Sequence, residues 1–360
     1  MVITFLLPFY PWHPVGGFRI VYEYANHLVA KQHKVRVMHA RWLGNNCNNV
    51  NIKECLRMKA GKLRDTFFKP NIAWQYIDPK VDLQYVSNLN KNNIPDGDVI
   101  IATSWQTAEY VLIYPLCKGR KYYLLQSYET WMGPEDRVNA TWRAPIKKIV
   151  IAKWLYEKGL ELGVSEYEIK YIPNGIDFNK YCLINNIENR PKRVAMLFSE
   201  YPWKGCQDGI AALELAKKDN SVLEAVLFGI YSRSKAIPDW IDYYREPRQD
   251  VLVRYIYNGS SIYLCPSLIE GWGLPSAEAM ACGCAVVSTD NRGVRDYAID
   301  GYNALLSPVN NPRRLANNLH RLINNKQLCE EIAYNGNKYI QNYTWKKAAE
   351  LLEQYISILK

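Results

Sequence analysis

The chain has 360 residues, 48% hydrophobic and 22% charged, with nine cysteines and a formal net charge of +10. That length fits about two domains of ordinary globular composition and excludes wholesale disorder. An odd number of cysteines with no CxxC pair excludes a disulfide scaffold or a zinc ribbon and fits a reducing cytoplasm.

The charge is uneven. Up to Pro173 there are 23 Lys/Arg against 15 Asp/Glu, and after it 22 against 20. A basic first half serves solubility alone or meets an anionic partner such as a phosphorylated substrate, a membrane surface or nucleic acid. No window reaches the roughly 18 apolar residues of a spanning helix. The apolar start, Val2 to Phe9, is interrupted by Pro8, Pro11 and Pro14 and has neither the basic region nor the cleavage site of a signal peptide. A cytoplasmic protein, at most peripheral on the inner face of a membrane, is the expectation.

In chain order, residues 2–7 are a continuous apolar run of strand length, as expected for a strand covered on both faces. Val21, Ala25, Leu28 and Val29 then repeat at helical spacing, and residues 34–40 read as a second strand, which completes a βαβ unit. Further strands are predicted at 98–103, 121–126 and 148–152. Residues 45–80 are rich in Asn, lack a core pattern and read as an insertion of loop and helix. The pattern then restarts: strands at 193–198, 223–228, 261–266 and 285–289, helices at 206–217 and 276–281. Asn185, Asn186, Asn189 and Pro191 break the periodicity between the halves. A closing amphipathic helix has Ala348, Leu351, Leu352, Tyr355, Ile356 and Leu359 on one face. The fold class is therefore α/β, with two Rossmann-like doubly wound domains facing a central cleft. Residues 1–184 with the crossing helix at about 344–360 form the first, and residues 185–343 the second.

Ligands of open parallel sheets bind outside the carboxyl ends of the strands, so the residues just after each strand are the informative ones. Gly16-Gly17, after the first strand, lets backbone amides approach an anion at a helix N-terminus, or is a plain tight turn. Ser199 to Gly205 opens the second domain's first helix with Lys204, either a phosphate-binding charge or a solvated lysine. Pro266 to Gly283 holds Glu270 in a Gly-rich loop and Glu278 in or near the first turn of a short helix begun by Pro275. Both carboxylates could accept hydrogen bonds from polyol hydroxyls, or Glu270 could cap the loop while Glu278 complements the helix dipole. Arg292 and Arg295 could reach phosphate, or pair with Asp296 or Asp300.

The segment EGWGLPSAEAMACG, with Glu270 and Glu278 eight apart, resembles the donor-site motif of retaining glycosyltransferases of family 4. Ile172-Pro173-Asn174-Gly175-Ile176-Asp177, Lys204-Gly205, Gly16-Gly17 and Asp300 to Leu306 support the resemblance, which extends over nearly the whole chain. It implies the two-domain GT-B fold. It also implies metal-independent transfer of a sugar from a nucleoside-diphosphate sugar to an acceptor hydroxyl with retention, without a cofactor. Glu270 would hold donor-sugar hydroxyls, Glu278 the ribose and Lys204 the diphosphate. Gly16 and Gly17 would approach the diphosphate, and Gly271, Trp272, Gly273 and Leu274 would complete the donor loop. Glu270 and Lys204 would be the catalytic pair.

The chain departs from the family at two places. Ser199 stands where members often have an Arg, so that either Arg193, Arg292 or Arg295 would substitute or diphosphate binding would rest more on Lys204, and Gln126 stands where many have a His. Leu124 to Trp131 (LLQSYETW), with Pro238-Asp239-Trp240-Ile241, is similar to a subgroup containing bacterial rhamnosyltransferases, which implies a deoxyhexose donor. The implied partners are a nucleotide sugar and a glycan or lipid-linked glycan of surface polysaccharide synthesis, with peripheral contact to an anionic membrane and no nucleic acid.

Other chemistries fit less well. Asp96-Gly97-Asp98 is a DxD but precedes its strand, the wrong end for a metal-ligand site. No GxGxxG follows the first strand and no GxSxG is present. The alternative of another class is a non-catalytic GT-B protein that binds nucleotide or a partner without turnover.

Overall fold

The structure is a computed structural model and describes residues 1–43, 72–131 and 133–358. Most of the insertion expected at 45–80 lies outside the described residues, as does Leu359 of the closing helix. The chain divides into two compact units, Met1–Pro173 with Trp345–Lys360, and Asn174–Thr344. The periodicity break at 185–191 falls inside the second unit because the preceding residues are tied there. The Asn258 amide donates to the Cys182 carbonyl and its Oδ1 accepts from the Ile184 N–H.

The first unit is a seven-stranded parallel sheet in the order β3-β2-β1-β4-β5-β6-β7. Its strands are β1 Val2–Leu7, β2 Lys34–Ala40, β3 Asp82–Val86, β4 Val99–Ala102, β5 Arg120–Leu125, β6 Lys147–Val150 and β7 Ile169–Tyr171. Ile3, Phe5, Val37, Ile100 and Ile101 are fully buried in it, because helices cover both faces of such a sheet. The helix Gly16–Ala30 turns Tyr22, Tyr24, Ala25 and Leu28 inward. The helix Trp345–Ser357 belongs to this unit. Trp345 packs edge-on against Tyr24 at 5.5 Å, and Glu353 accepts hydrogen bonds from Lys31 and His33.

The second unit is a six-stranded parallel sheet in the order β10-β9-β8-β11-β12-β13. The strands are β8 Arg193–Leu197, β9 Glu224–Gly229, β10 Ile241–Arg245, β11 Ile262–Cys265, β12 Ala285–Thr289 and β13 Ala304–Ser307. Val194, Met196, Leu227, Leu264 and Val287 form its core with Leu213 and Leu319 from the flanking helices. Each such side chain contributes about 1.5–3 kcal/mol on burial. In both sheets the first strand sits inside the order and the connections leave it in opposite directions. The carboxyl ends of β1 and β4, and of β8 and β11, are thus the switch points where a doubly wound sheet opens a crevice.

The seven described cysteines are free thiols. Among the described residues no helix is long and apolar enough to cross a membrane.

Candidate functional site

In the second unit, two loops meet beyond the carboxyl ends of β8 and β11. The first runs from Ser199 through a 3-10 turn at Pro202–Lys204 to Gly205, which starts the helix Cys206–Asp219. Gly205 holds φ +58, and a Cβ there would lie 2.1 Å from the Pro266 carbonyl oxygen, so only glycine lets this helix begin so close to the second loop. The Leu268 N–H donates to the Trp203 carbonyl at 2.8 Å and latches the loops together. The Ser199 hydroxyl accepts from the Tyr201 N–H at 3.3 Å and its own N–H donates to the Cys206 sulfur at 3.2 Å. Ser199 therefore shapes the turn.

This convergence brings Lys204 Nζ to 2.7 Å from Glu270 Oε1, with both side chains largely buried. Ser267 Oγ donates to the same oxygen at 2.7 Å. Burial works against the Lys204 ammonium, but the charge and hydrogen bond of Glu270 outweigh it and hold the Lys204 pKa above its ordinary value. The pair lines a recess with Cys265, Ser267, Gly273 and Ser276.

Glu270 is braced from behind. Its N–H donates to the Asn291 carbonyl at 3.0 Å, and that carbonyl also accepts from the Gly293 N–H at 2.9 Å. Arg292, between them, has φ +69 and ψ −57, the rare γ-turn geometry that non-glycine residues adopt under strain. A Cβ on Gly293 would sit 2.8 Å from the Glu270 carbonyl oxygen and 2.9 Å from that of Gly271. The buried Asn291 amide is itself fixed by Ser288 Oγ and the Val294 N–H.

Gly273, at φ +91, precedes the helix Leu274–Ala281, in which Pro275 occupies the first turn, and Tyr297 donates to its carbonyl at 2.8 Å. Trp272 is buried against Tyr297 and Tyr343 with ring centroids 4.8 and 5.5 Å away. Its side chain is a peg for the loop, and what it offers a ligand is backbone.

Glu278 is the fifth residue of its helix, beyond the first turn. The dipole reading therefore falls, since that effect fades within one turn. Glu278 is 3% exposed, and its carboxylate accepts from the Tyr257 hydroxyl at 3.3 Å. A π-helical stretch, Leu252–Tyr257, carries that tyrosine.

The arginines separate. Arg295 is clamped by both Asp290 oxygens at 2.6 and 2.5 Å, a partner the sequence did not suggest, and the turn before β13 directs Asp300 Oδ1 to the Leu306 N–H. Arg193 begins β8, the far end of that strand from Ser199, and pairs with Glu224 at 2.8 Å. Of the three, Arg292 is the one whose backbone bridges to Glu270.

In the first unit, Gly16 and Gly17 open the helix Gly16–Ala30, which has no side-chain cap and no acidic residue in its first turn. Phe18 and Arg19 give their N–H groups to the Val15 carbonyl. Gln126, after β5, donates to the Gly17 carbonyl at 3.1 Å, while its buried Oε1 has no hydrogen-bond partner among the described residues. The DxD carboxylates serve the fold: Asp96 pairs with Lys118 at 2.7 Å and Asp98 accepts from the Val2 N–H at 2.7 Å. Among the described residues no group of His, Cys, Asp and Glu is arranged to hold a metal.

Sequence reasoning marked the segments after β11 and β12 that hold Ser267, Asn291 and Gly293, by their position at the strand ends, but gave these three no role, and it did not name Tyr257.

Residues 183–339 match the family described as glycosyl transferases group 1. The chain is 27% identical over 219 residues, 56% of its own length and 56% of the relative's, to an uncharacterised glycosyltransferase of Methanocaldococcus jannaschii. It is 24% identical over 185 residues to the capsular polysaccharide biosynthesis glycosyltransferase CapM of Staphylococcus aureus, 47% of this chain and 48% of CapM. The chain thus spans about half the length of these curated relatives. The solved structure of HepE from Anabaena in complex with UDP-glucose aligns over 100% of both chains with a TM-score of 0.75 at 15% identity, a likeness of fold. Two doubly wound sheets and the likeness to HepE over the whole chain lead to one conclusion: the chain has the GT-B fold, and its residues 183–339 are similar to glycosyl transferases group 1.

Proposed function

We propose that the protein transfers a hexosyl or deoxyhexosyl group from a nucleoside-diphosphate sugar to an acceptor hydroxyl, with retention, in the assembly of a surface polysaccharide or related glycan. The observation that carries this reading is the 2.7 Å Lys204–Glu270 pair at the carboxyl ends of β8 and β11, inside the matched domain. UDP-glucose in HepE and the polysaccharide pathway of CapM support the donor and product classes.

In this reading the donor separates the pair. Lys204 turns to the diphosphate, where negative charge grows as the sugar leaves, and Glu270 accepts from hydroxyls of the donor sugar. Holding the two charges together beforehand keeps both in place without an unpaired buried charge. The helix N-terminus at Cys206 and the amides of Gly16 and Gly17 supply further donors to the diphosphate. Glu278 accepts from the ribose, and Gly271, Trp272, Gly273 and Leu274 meet the donor through backbone. Arg292, Arg295, Ser199 and Gln126 are the additional contacts, with Arg292 favoured in place of the family's arginine. The acceptor oxygen bonds to the anomeric carbon on the face from which the phosphate oxygen departs. That phosphate oxygen takes the acceptor proton, so neither a protein base, a metal nor a cofactor is needed. A glycan or lipid-linked glycan docks on the first unit, with peripheral contact to an anionic membrane.

Thermal unfolding with UDP, GDP, ADP, dTDP and their sugars, with and without EDTA, tests the donor site, since a ligand of the native state raises stability by RT ln(1 + [L]/Kd). A shift by one base that survives EDTA is expected. A shift abolished by EDTA would return the ligand to a metal site, and binding without turnover would leave a non-catalytic protein. Glu270→Ala should lower kcat by about 10²-fold or more, and Glu278→Ala should chiefly raise the donor KM. Near-normal kinetics in both would remove the assignment.

A further inference from the structure

We propose that a second anion site, built for a phosphate group, lies at the amino edge of the first sheet. A concavity of about 460 Å³ opens there where β2 and β3 begin and the helix Gly16–Ala30 ends, lined by Gln32, His33, Lys34, Arg36, Lys80 and Asp82. Its volume is that of a small-molecule pocket. Gly16, Gly17 and Gln126 stand at the opposite, carboxyl edge of the same sheet.

Three observations point to an anion. First, the carboxylates nearby are engaged: Glu353 accepts from Lys31 and His33, and Asp82 accepts from Gln84 Nε2 at 2.6 Å and lies 3.8 Å from Arg36. Second, the ammonium groups of Lys34 and Lys80 make no ion pair with any described residue, though both line the concavity. Third, Gln32 holds φ +66 just past the helix end, where glycine would sit without strain. Gln32 is among the residues lining the concavity, which adds an amide to its wall. The helix end carries partial negative charge, so several cations are required before the concavity attracts an anion. Lys34 and Lys80, with the Gln32 amide, provide donors suited to phosphate oxygens, and Arg36, which donates to the Asp96 carbonyl at 2.9 Å and offsets Asp82, adds charge beside them. Such a phosphate belongs either to a soluble molecule or to a lipid headgroup.

The test reads binding, so it does not depend on the transferase reading. Calorimetric titration of inorganic pyrophosphate at 150 mM salt, where diffuse surface attraction is screened, is made on Lys204→Met, which removes the cation of the candidate donor site. One equivalent should still bind. Adding Lys34→Gln and Lys80→Gln should weaken it tenfold or more without lowering Tm, and Lys34→Arg with Lys80→Arg should restore it. Co-sedimentation with phosphatidylcholine vesicles, with and without phosphatidylglycerol, is the second arm. Retention on phosphatidylglycerol that the two glutamines abolish, without pyrophosphate binding, assigns the phosphate to a headgroup. Unchanged binding of both probes in the glutamine variant, or binding of neither by the parent, overturns the site.

Discussion

The two glycine-bearing loops that resemble donor-binding segments are built on opposite principles. In the second unit glycine is demanded by the protein: a Cβ on Gly205 or Gly293 runs into backbone oxygen at 2.1 or 2.8 Å. In the first unit a Cβ on Gly16 meets nothing within 4 Å. The second loop set is cross-braced around a charged pair, whereas the first offers uncapped helix amides and the amide of Gln126. The difference separates two uses of one residue type. Glycine lets protein pack against protein at Gly205, and at Gly16 the space it leaves is available to a ligand.

Substitutions sharpen that contrast. Gly205→Ala forces both a left-handed backbone and a collision with Pro266, so we expect a loss of about 3 kcal/mol or more in urea unfolding. An unchanged midpoint would mean the two loops can part at little cost.

Glu129 tests the first unit's edge by pH. It accepts from the Trp105 N–H at 2.8 Å, and burial pushes its pKa up to about 7 from 4.5. The native state then keeps a proton that the unfolded chain releases. Stability from the neutral carboxyl is full below pH 4.5 and is lost as pH rises through 7. Glu129→Gln should flatten that slope and gain on the order of 2 kcal/mol over the parent at pH 8, with little difference at pH 4. Parallel pH profiles for the two proteins would dismiss a buried carboxyl.

Arg292→Gly relaxes the γ-turn behind Glu270 and should raise stability by about 1 kcal/mol. Turnover should nonetheless fall if the guanidinium serves the diphosphate. A variant that is both more stable and fully active would make Arg292 only a turn residue. The smallest effect belongs to Gly16→Ala, expected to stabilise its helix by about 0.5–1 kcal/mol. The same variant should weaken nucleotide binding in thermal-shift titration, and unchanged affinity would deny the ligand that space.

Much of the fold was legible in the residues. Val2–Leu7, Lys34–Ala40 and Ala285–Thr289 read as strands at the bounds they have, because interior strands of a parallel sheet are apolar on both faces. The four strands not anticipated, β3, β7, β10 and β13, are the four sheet edges. Asp82–Val86 and Ile241–Arg245 are partly exposed and polar, and Ile169–Tyr171 has three residues, whereas Ala304–Ser307 matches the interior strands β4 and β11 in length and is nearly as buried. An edge strand needs neighbours on one side only, so its sequence carries less of the pattern.

At the site, the sequence by itself determined the elements: Lys204 ahead of a helix, Glu270 in a glycine loop after a strand, and Glu278 four residues beyond Leu274. Only tertiary structure decided their partners. That Lys204 meets Glu270 across 66 positions, that the Asn291 carbonyl holds the Glu270 N–H, and that Tyr257 faces Glu278 follow from strand order, whereas Ser267 on Glu270 and Asp290 on Arg295 are contacts within one loop. Local spacing sets which face of a helix or strand a side chain occupies. Which faces meet depends on the crossovers that set β8 beside β11 and β11 beside β12, and those lie beyond the reach of any short window.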